Sequence, residues 1–247
     1  MADRIFGVST RLFGDARLTR DHLVDIAAHK FDAIELVALD THFDYRDTAA
    51  IAQLAEWLTD TRLMLHSVHA AAGQTVEEID AVLAMARELP YRFLVMHRPA
   101  AATEKTLHAI TESATAVGVT VALEVRQEKD STAQALVTLL EDELDGMRLG
   151  ICLDFAHATL GGDLDEAIEL VSGHLVTTHV HDVSTTRAKH LVPYSGTIAW
   201  ETAMMEMQKV GYDGALMFEL GPSPDPVAVL AKAAKARERL EKTFVTF

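Results

Sequence analysis

Residues 149–162 read LGICLDFAHATLGG. An apolar run from Leu149 to Leu153, with one glycine in it, meets Asp154, then Phe155, Ala156 and His157. At the two-residue period of a strand, Gly150, Cys152 and Asp154 share one face, and Ile151, Leu153 and Phe155 the other. The large apolar face suits packing against helices. The face of small side chains ending in a carboxylate suits the inside of a closed barrel, with the charge at its rim. VTVALEVR (119–126) repeats the pattern, with Thr120, Ala122, Glu124 and Arg126 opposite Val121, Leu123 and Val125. GALMFEL (214–220) does so again, with Ala215, Met217 and Glu219 opposite Leu216, Phe218 and Leu220.

Outward from these runs, strand-like segments lie near 4–9, 32–38, 62–69, 91–97, 119–126, 148–154, 175–181 and 214–220. Between them lie stretches of helical period such as TAAIAQLAEWLTD and TVEEIDAVLAMAREL, several opening on Asp or Thr as helix N-termini do. Eight strand–helix units of about thirty residues predict an α/β fold, a (β/α)8 TIM barrel formed by residues 1–247 as one domain. The competing open doubly wound sheet would carry a glycine-rich first turn, and VSTRLFGD is not one.

The chain has 247 residues, 49% of them hydrophobic, and a formal charge of −15. Such acidity repels phosphate backbones and argues against nucleic-acid binding. No apolar run is long enough to span a membrane, and MADRIFGVSTRLF lacks the apolar core of a signal peptide. The one cysteine, Cys152, sits in an apolar run, which predicts core packing and a reducing, cytoplasmic location.

The predicted strand ends carry Glu35, His66 or His69, His97, Glu124, Asp154 with His157, His179 with His181 and Asp182, and Glu219. His66 and His69 differ in parity, so at most one of them is expected to point inward. His22, His29, His42, His108 and His174 fall in or beside helices and loops and are read as structural. Each strand-end residue also has a plain structural role open to it. Glu124 could pair with Arg126, Asp154 could cap the following helix, and one of His179 and His181 could serve packing alone. Carboxylates do not share a dry barrel mouth without positive charge between them. A divalent cation supplies it. Oxygen and imidazole donors without thiolate suit Mn2+, Co2+, Mg2+ or Zn2+.

The order of these motifs resembles the sugar-phosphate isomerase/epimerase superfamily, the xylose isomerase-like TIM barrels that also include endonuclease IV. The resemblance runs through FDAIEL (31–36), SVHA (67–70), MHRP (96–99), LEVR (123–126), LDFAHA (153–158), HVHD (179–182), SGTIAW (195–200) and MFEL (217–220). It implies one divalent metal held by Glu124, Asp154, His179 and Glu219, with His179 favoured over His181 because it lies three residues before Asp182. It places His69, His97, Arg126 and His157 against substrate oxygens, with His181 and His190 grouped beside them. Glu124 and Glu219 are the expected acid–base pair, removing and returning a proton through an enediolate. The implied activity is isomerisation or epimerisation of a sugar, sugar acid or related polyol. The alternatives are a metal-dependent lyase or dehydratase, then a non-catalytic sugar- or metal-binding barrel. A nuclease is disfavoured, because Ala188–Lys189–His190 stands where that branch needs an aspartate. The expected partner is a small carbohydrate-like molecule. Loops short for the family leave room for a homodimer that completes the pocket.

Overall fold

In the computed structural model, residues 4–98, 104–144, 146–184 and 187–245 are described. The strands are β1 (Phe6–Ser9), β2 (Ala33–Ala38), β3 (Met64–Ala70), β4 (Phe93–Met96), β5 (Thr120–Glu124), β6 (Leu149–Asp154), β7 (Leu175–Val180), β8 (Asp182–Ser184), β9 (Arg187–Leu191) and β10 (Leu216–Phe218). Eight of these described strands close into a parallel barrel in the order β1–β10–β7–β6–β5–β4–β3–β2. The helices are α1 (Arg20–Ala28), α2 (Thr48–Thr61), α3 (Val76–Met85), α4 (Glu104–Ala116), α5 (Ala133–Thr138), α6 (Phe155–Gly161), α7 (Leu164–Val171), α8 (Trp200–Lys209) and α9 (Pro226–Val245). The chain therefore has the TIM-barrel fold that its strand parity predicts.

Helix starts follow the expected chemistry. Asp47 caps α2 and Asp163 caps α7, while Thr75 and Glu78 form a capping box on α3. Ile51, Leu54 and Leu58 place the buried stripe of α2 on one face. Inside the barrel, Val95, Ala122 and Cys152 form a small apolar plug, with Val176 packed on it. Cys152 is fully buried there, and burial pushes its thiol up to about 12. No described helix is long and apolar enough to cross a membrane.

Three features depart from the expectation. The first is a bulge in β3: Ile34 pairs with Leu65, but Glu35 pairs with Ser67. The extra residue resets the alternation, so His66 and His69 both turn inward, against the parity argument. His66 reaches across the barrel to Thr177 Oγ1 at 3.3 Å, while His69 lies near Glu35, Glu124 and Glu219. The second is α6, a short helix starting directly at the end of β6, which the capping alternative for Asp154 anticipates but the stretches of helical period do not include. Its seven residues carry too few turns to show a period of their own.

The third is the antiparallel hairpin β8–β9, pinned by Asp182. Asp182 Oδ1 accepts from Val183 N (2.8 Å) and Ile198 N (3.1 Å). Its Oδ2 accepts from Gly196 N (2.9 Å) and Trp200 Nε1 (3.0 Å). A β-carbon on Gly196 would collide with Asp182 Oδ1 and Val183 O, so only glycine lets this loop close on the carboxylate. Asp182 is thus a structural hub. Asp182→Ala strands four donors and is expected to lower the unfolding free energy by roughly 3 kcal/mol. Urea denaturation will read this as a lower midpoint with an unchanged slope.

Candidate active site

The C-terminal ends of the strands open into a cavity of about 530 Å3. Its wall includes His69, His97, Glu124, Arg126, His157, His190 and Glu219, drawn from both halves of the barrel. Glu35, Asp154, His179 and His181 lie beneath, fully buried. His181 is one of the residues expected at the substrate. It lies below the wall, with Nε2 2.8 Å from Asp154 Oδ2.

One donor atom each from Glu124, Asp154, His179 and Glu219 lies within 4.8 Å of every other. The strands explain the convergence. In register, Asp154 stands beside His179 and Met217 also beside His179, which brings the next inward residue of that chain, Glu219, to the same level. Glu124 arrives from β5, next to β6 in the barrel. Asp154 has two roles: Oδ1 accepts from His157 N at 2.7 Å and caps α6, while Oδ2 faces His181. The helix-cap alternative and a role at the site are therefore compatible.

His179 sits at the centre. Its Nδ1 is 3.1 Å from Glu124 Oε1, and its Nε2 is 3.2 Å from Glu35 Oε2. Ser67 Oγ donates to that same Glu35 oxygen at 2.8 Å. Glu124 Oε2 receives His97 Nε2 at 2.9 Å and Arg126 Nη1 at 3.4 Å. The Glu124–Arg126 pairing is real but long, and Arg126 also reaches Glu128 at 3.2 Å. Glu219 Oε2 lies 3.0 Å from His190 Nδ1, and Glu219 Oε1 lies 3.5 Å from His69 Nδ1.

These contacts oppose desolvation. Burial alone would raise the carboxyl groups. At Glu124 the hydrogen bonds from His179 and His97 win and hold it well below the usual glutamate range. Glu219 is also held well below that range, by His179, His190 and His69, and Glu35 is lowered chiefly by His179. Burial alone would lower the imidazoles. At His179, Cys152, Glu35 and Glu219 reverse this and push it well above the ordinary histidine value. Asp154 and Glu219 raise His181. At His157 burial prevails and the value falls.

Four carboxylates that are at most 1% exposed thus demand positive charge in their midst. Imidazole protons can supply it, and so can a divalent cation. The donor set fits the cation: three carboxylates and one imidazole, no thiolate, and spacing within reach of one ion. His181 Nδ1 and His157 Nδ1 are buried without a hydrogen-bond partner, so the neighbourhood has unused acceptors or donors as well.

Two residues near this centre escaped the sequence reading of the site. Glu35 stood out as an inward strand end, but its partner His179 is 144 residues away and nothing local marks the pairing. Arg11 lines the cavity from the turn after β1, with Nη1 3.7 Å from Glu219 Oε1, and carries no periodic or motif signal. Of the other basic residues at the strand ends, Arg98 donates to Asp130 O and Arg126 is paired as above. The side chain of Lys189 lies outside the described residues. His22, His29, His42, His108 and His174 are absent from the cavity wall and make their contacts elsewhere, His42 with Ala16 O and His174 with Glu141.

A family model described as xylose isomerase-like TIM barrel matches residues 23–242. A Methanocaldococcus jannaschii protein of uncharacterised function is 29% identical, over 88% of this chain and 84% of its own. Among solved structures, a D-tagatose 3-epimerase-like protein superposes with a TM-score of 0.81 at 24% identity, covering 98% of this chain and 97% of the other. A xylose isomerase-like TIM barrel protein of Mycobacterium smegmatis, in complex with magnesium, gives 0.79 at 13% identity, with 98% and 97% covered.

Proposed function

The chain belongs to the xylose isomerase-like TIM barrel family, and from that premise we propose that it is a divalent-metal-dependent isomerase or epimerase of a small carbohydrate-like molecule. The observation that carries this reading is the convergence of Glu124, Asp154, His179 and Glu219 at the floor of the cavity. Those four residues would hold the ion, whether Mn2+, Co2+, Mg2+ or Zn2+. When bound, it would stabilise negative charge on neighbouring substrate oxygens and so acidify the C–H beside a carbonyl. The similar structures, an epimerase-like protein and a magnesium complex, point the same way.

The protein's own groups supply proton transfer and orientation. Glu124 and Glu219 both border the cavity, from β5 and from just past β10, with β6 and β7 between those strands. A substrate between them meets one carboxylate on each side. One removes the proton and the other returns it to the opposite face, which inverts the centre. Return to the adjacent carbon exchanges aldose and ketose. Both carboxyls are held low, so both start as bases. His97 and Arg126 hold Glu124 in place; His190 and His69 do so for Glu219. His157 overlooks the cavity from α6, where Asp154 fixes its backbone.

Glu35 completes the set as a positioning residue. It takes the Nε2 side of His179, leaving Nδ1 toward Glu124 and Glu219, as the outer carboxylate of a metal-binding histidine does. Glu35→Gln is expected to weaken cation affinity about 10–100-fold. Competition with a fluorescent chelator measures this directly.

Incubating the metal-supplemented protein with ketoses and keto-acids in D2O tests the activity. The expected result is deuterium at the carbon beside the carbonyl, seen by NMR. A new conjugated carbonyl absorbance instead would assign a lyase. Tight sugar binding with no exchange into any of them would assign a binding protein.

A further inference from the structure

Resting on the reading above, we propose that the substrate carries an anionic group, a carboxylate or a phosphate, and that Arg11 is the residue that selects it. Arg11 belongs to the turn Thr10–Phe13, directly after β1. Its backbone is fixed at both ends: Arg11 N donates to Ser9 Oγ, and Gly14 N donates to Arg11 O. Its side chain lines the cavity.

Arg11 differs from the other guanidinium groups around this opening in having uncommitted donors. Arg126 is shared between Glu124 and Glu128, and Arg98 donates to a backbone carbonyl. Arg11 has Glu219 at 3.7 Å, beyond good hydrogen-bond distance, and its Nε is buried with no hydrogen-bond partner. A buried guanidinium N–H without an acceptor is costly. The side chain as a whole is 41% exposed, so its Nη donors are open to a ligand oxygen arriving in the cavity.

The wall composition points to the same ligand. Among the described lining residues there is no hydroxyl, no carboxamide and no aromatic ring apart from imidazoles. A site built for an uncharged sugar draws on such groups, because each sugar hydroxyl both donates and accepts, and its C–H face stacks on rings. Apart from Glu124 and Glu219, the carboxylates assigned to the cation, this wall presents guanidinium and imidazole donors beside an apolar flank that includes Val37 and Leu39. A guanidinium fork matches a carboxylate or phosphate with two parallel hydrogen bonds.

Isothermal titration of the metal-supplemented protein with D-fructose, D-fructuronate and D-fructose 6-phosphate tests this on one carbon skeleton. At least one anion is expected to bind about 10–100-fold more tightly than D-fructose, as one charge-assisted contact predicts. Preference for the uronate alone identifies a carboxylate, and preference for the phosphate alone a phosphate ester. Arg11→Gln is expected to abolish the preference, and Arg11→Lys to keep part of it. Thermal unfolding of both variants checks that they fold. Equal binding of all three sugars, or a preference that survives in folded Arg11→Gln, overturns the proposal. The D2O experiment reports separately on the activity. Exchange into D-fructose without an anion preference leaves the isomerase reading standing and removes the Arg11 proposal; an anion preference without exchange does the reverse.

Discussion

A Glu219→Gln variant, folded and supplied with saturating cation, is expected to exchange the substrate C–H about 10²–10⁴-fold more slowly than the parent protein. Glutamine keeps the size of the side chain and one carbonyl oxygen, so His190 and His69 retain a neighbour. It removes the basic oxygen. Glu219 is buried yet held well below the usual carboxyl range by His179, His190 and His69, so the parent protein presents it as a ready base. The same change at Glu124 is expected to cost a similar factor. A protein that epimerises through two carboxylates should also show an asymmetry: each variant slows exchange from one epimer more than from the other. Deuterium exchange followed from both epimers, with bound metal measured in the same samples, separates loss of the base from loss of the ion. Equal exchange in parent and both variants would remove these residues from the proton-transfer role.

Asp154→Asn is expected to weaken cation binding by at least about tenfold while leaving the fold intact. Asparagine caps a helix about as well as aspartate, so the bond to His157 N that starts α6 is preserved. What is lost is one negative charge among the four ligands. Asp154→Ala removes both functions and should also cost about 1 kcal/mol of stability through the lost cap. Proton competition gives the same site a second signature. Holding a cation requires deprotonated carboxylates and a free nitrogen on His179, whose surroundings push its proton affinity well up. Cation affinity is therefore expected to rise with pH through the neutral range and to fall in acid. Chelator competition at several pH values, on the parent and both Asp154 variants, measures these effects together. Affinity that is flat with pH and unchanged in Asp154→Asn would place the ion elsewhere.

Much of this was legible from local pattern. Alternation in 149–154 and 119–126 put Asp154 and Glu124 on the inward face, and the barrel closes as that alternation requires. The two histidines of HVHD share a parity, and both are inside. What local pattern cannot carry is pairing register. The bulge at His66 arises between β2 and β3 and reverses the parity that separates it from His69. The layering of His179 against Glu124 and of His181 against Asp154 likewise depends on how β5, β6 and β7 align. The pairing of Glu35, visible only as a strand end, and the placement of Arg11 escaped for a different reason. Their partners, His179 and Glu219, lie most of the chain length away, and no spacing rule links them. Asp182 was visible as a polar strand end, but only the folded hairpin shows that its carboxylate is consumed by four structural hydrogen bonds.

The most direct test of the central claim is the metal content of the protein purified without chelator, measured by element-resolved mass spectrometry beside Asp154→Asn and Glu124→Ala. Near one equivalent of Mn, Co, Mg or Zn per chain, falling in both folded variants, is the predicted result. No bound metal, and no rise in melting temperature on adding any of the four ions, would contradict it.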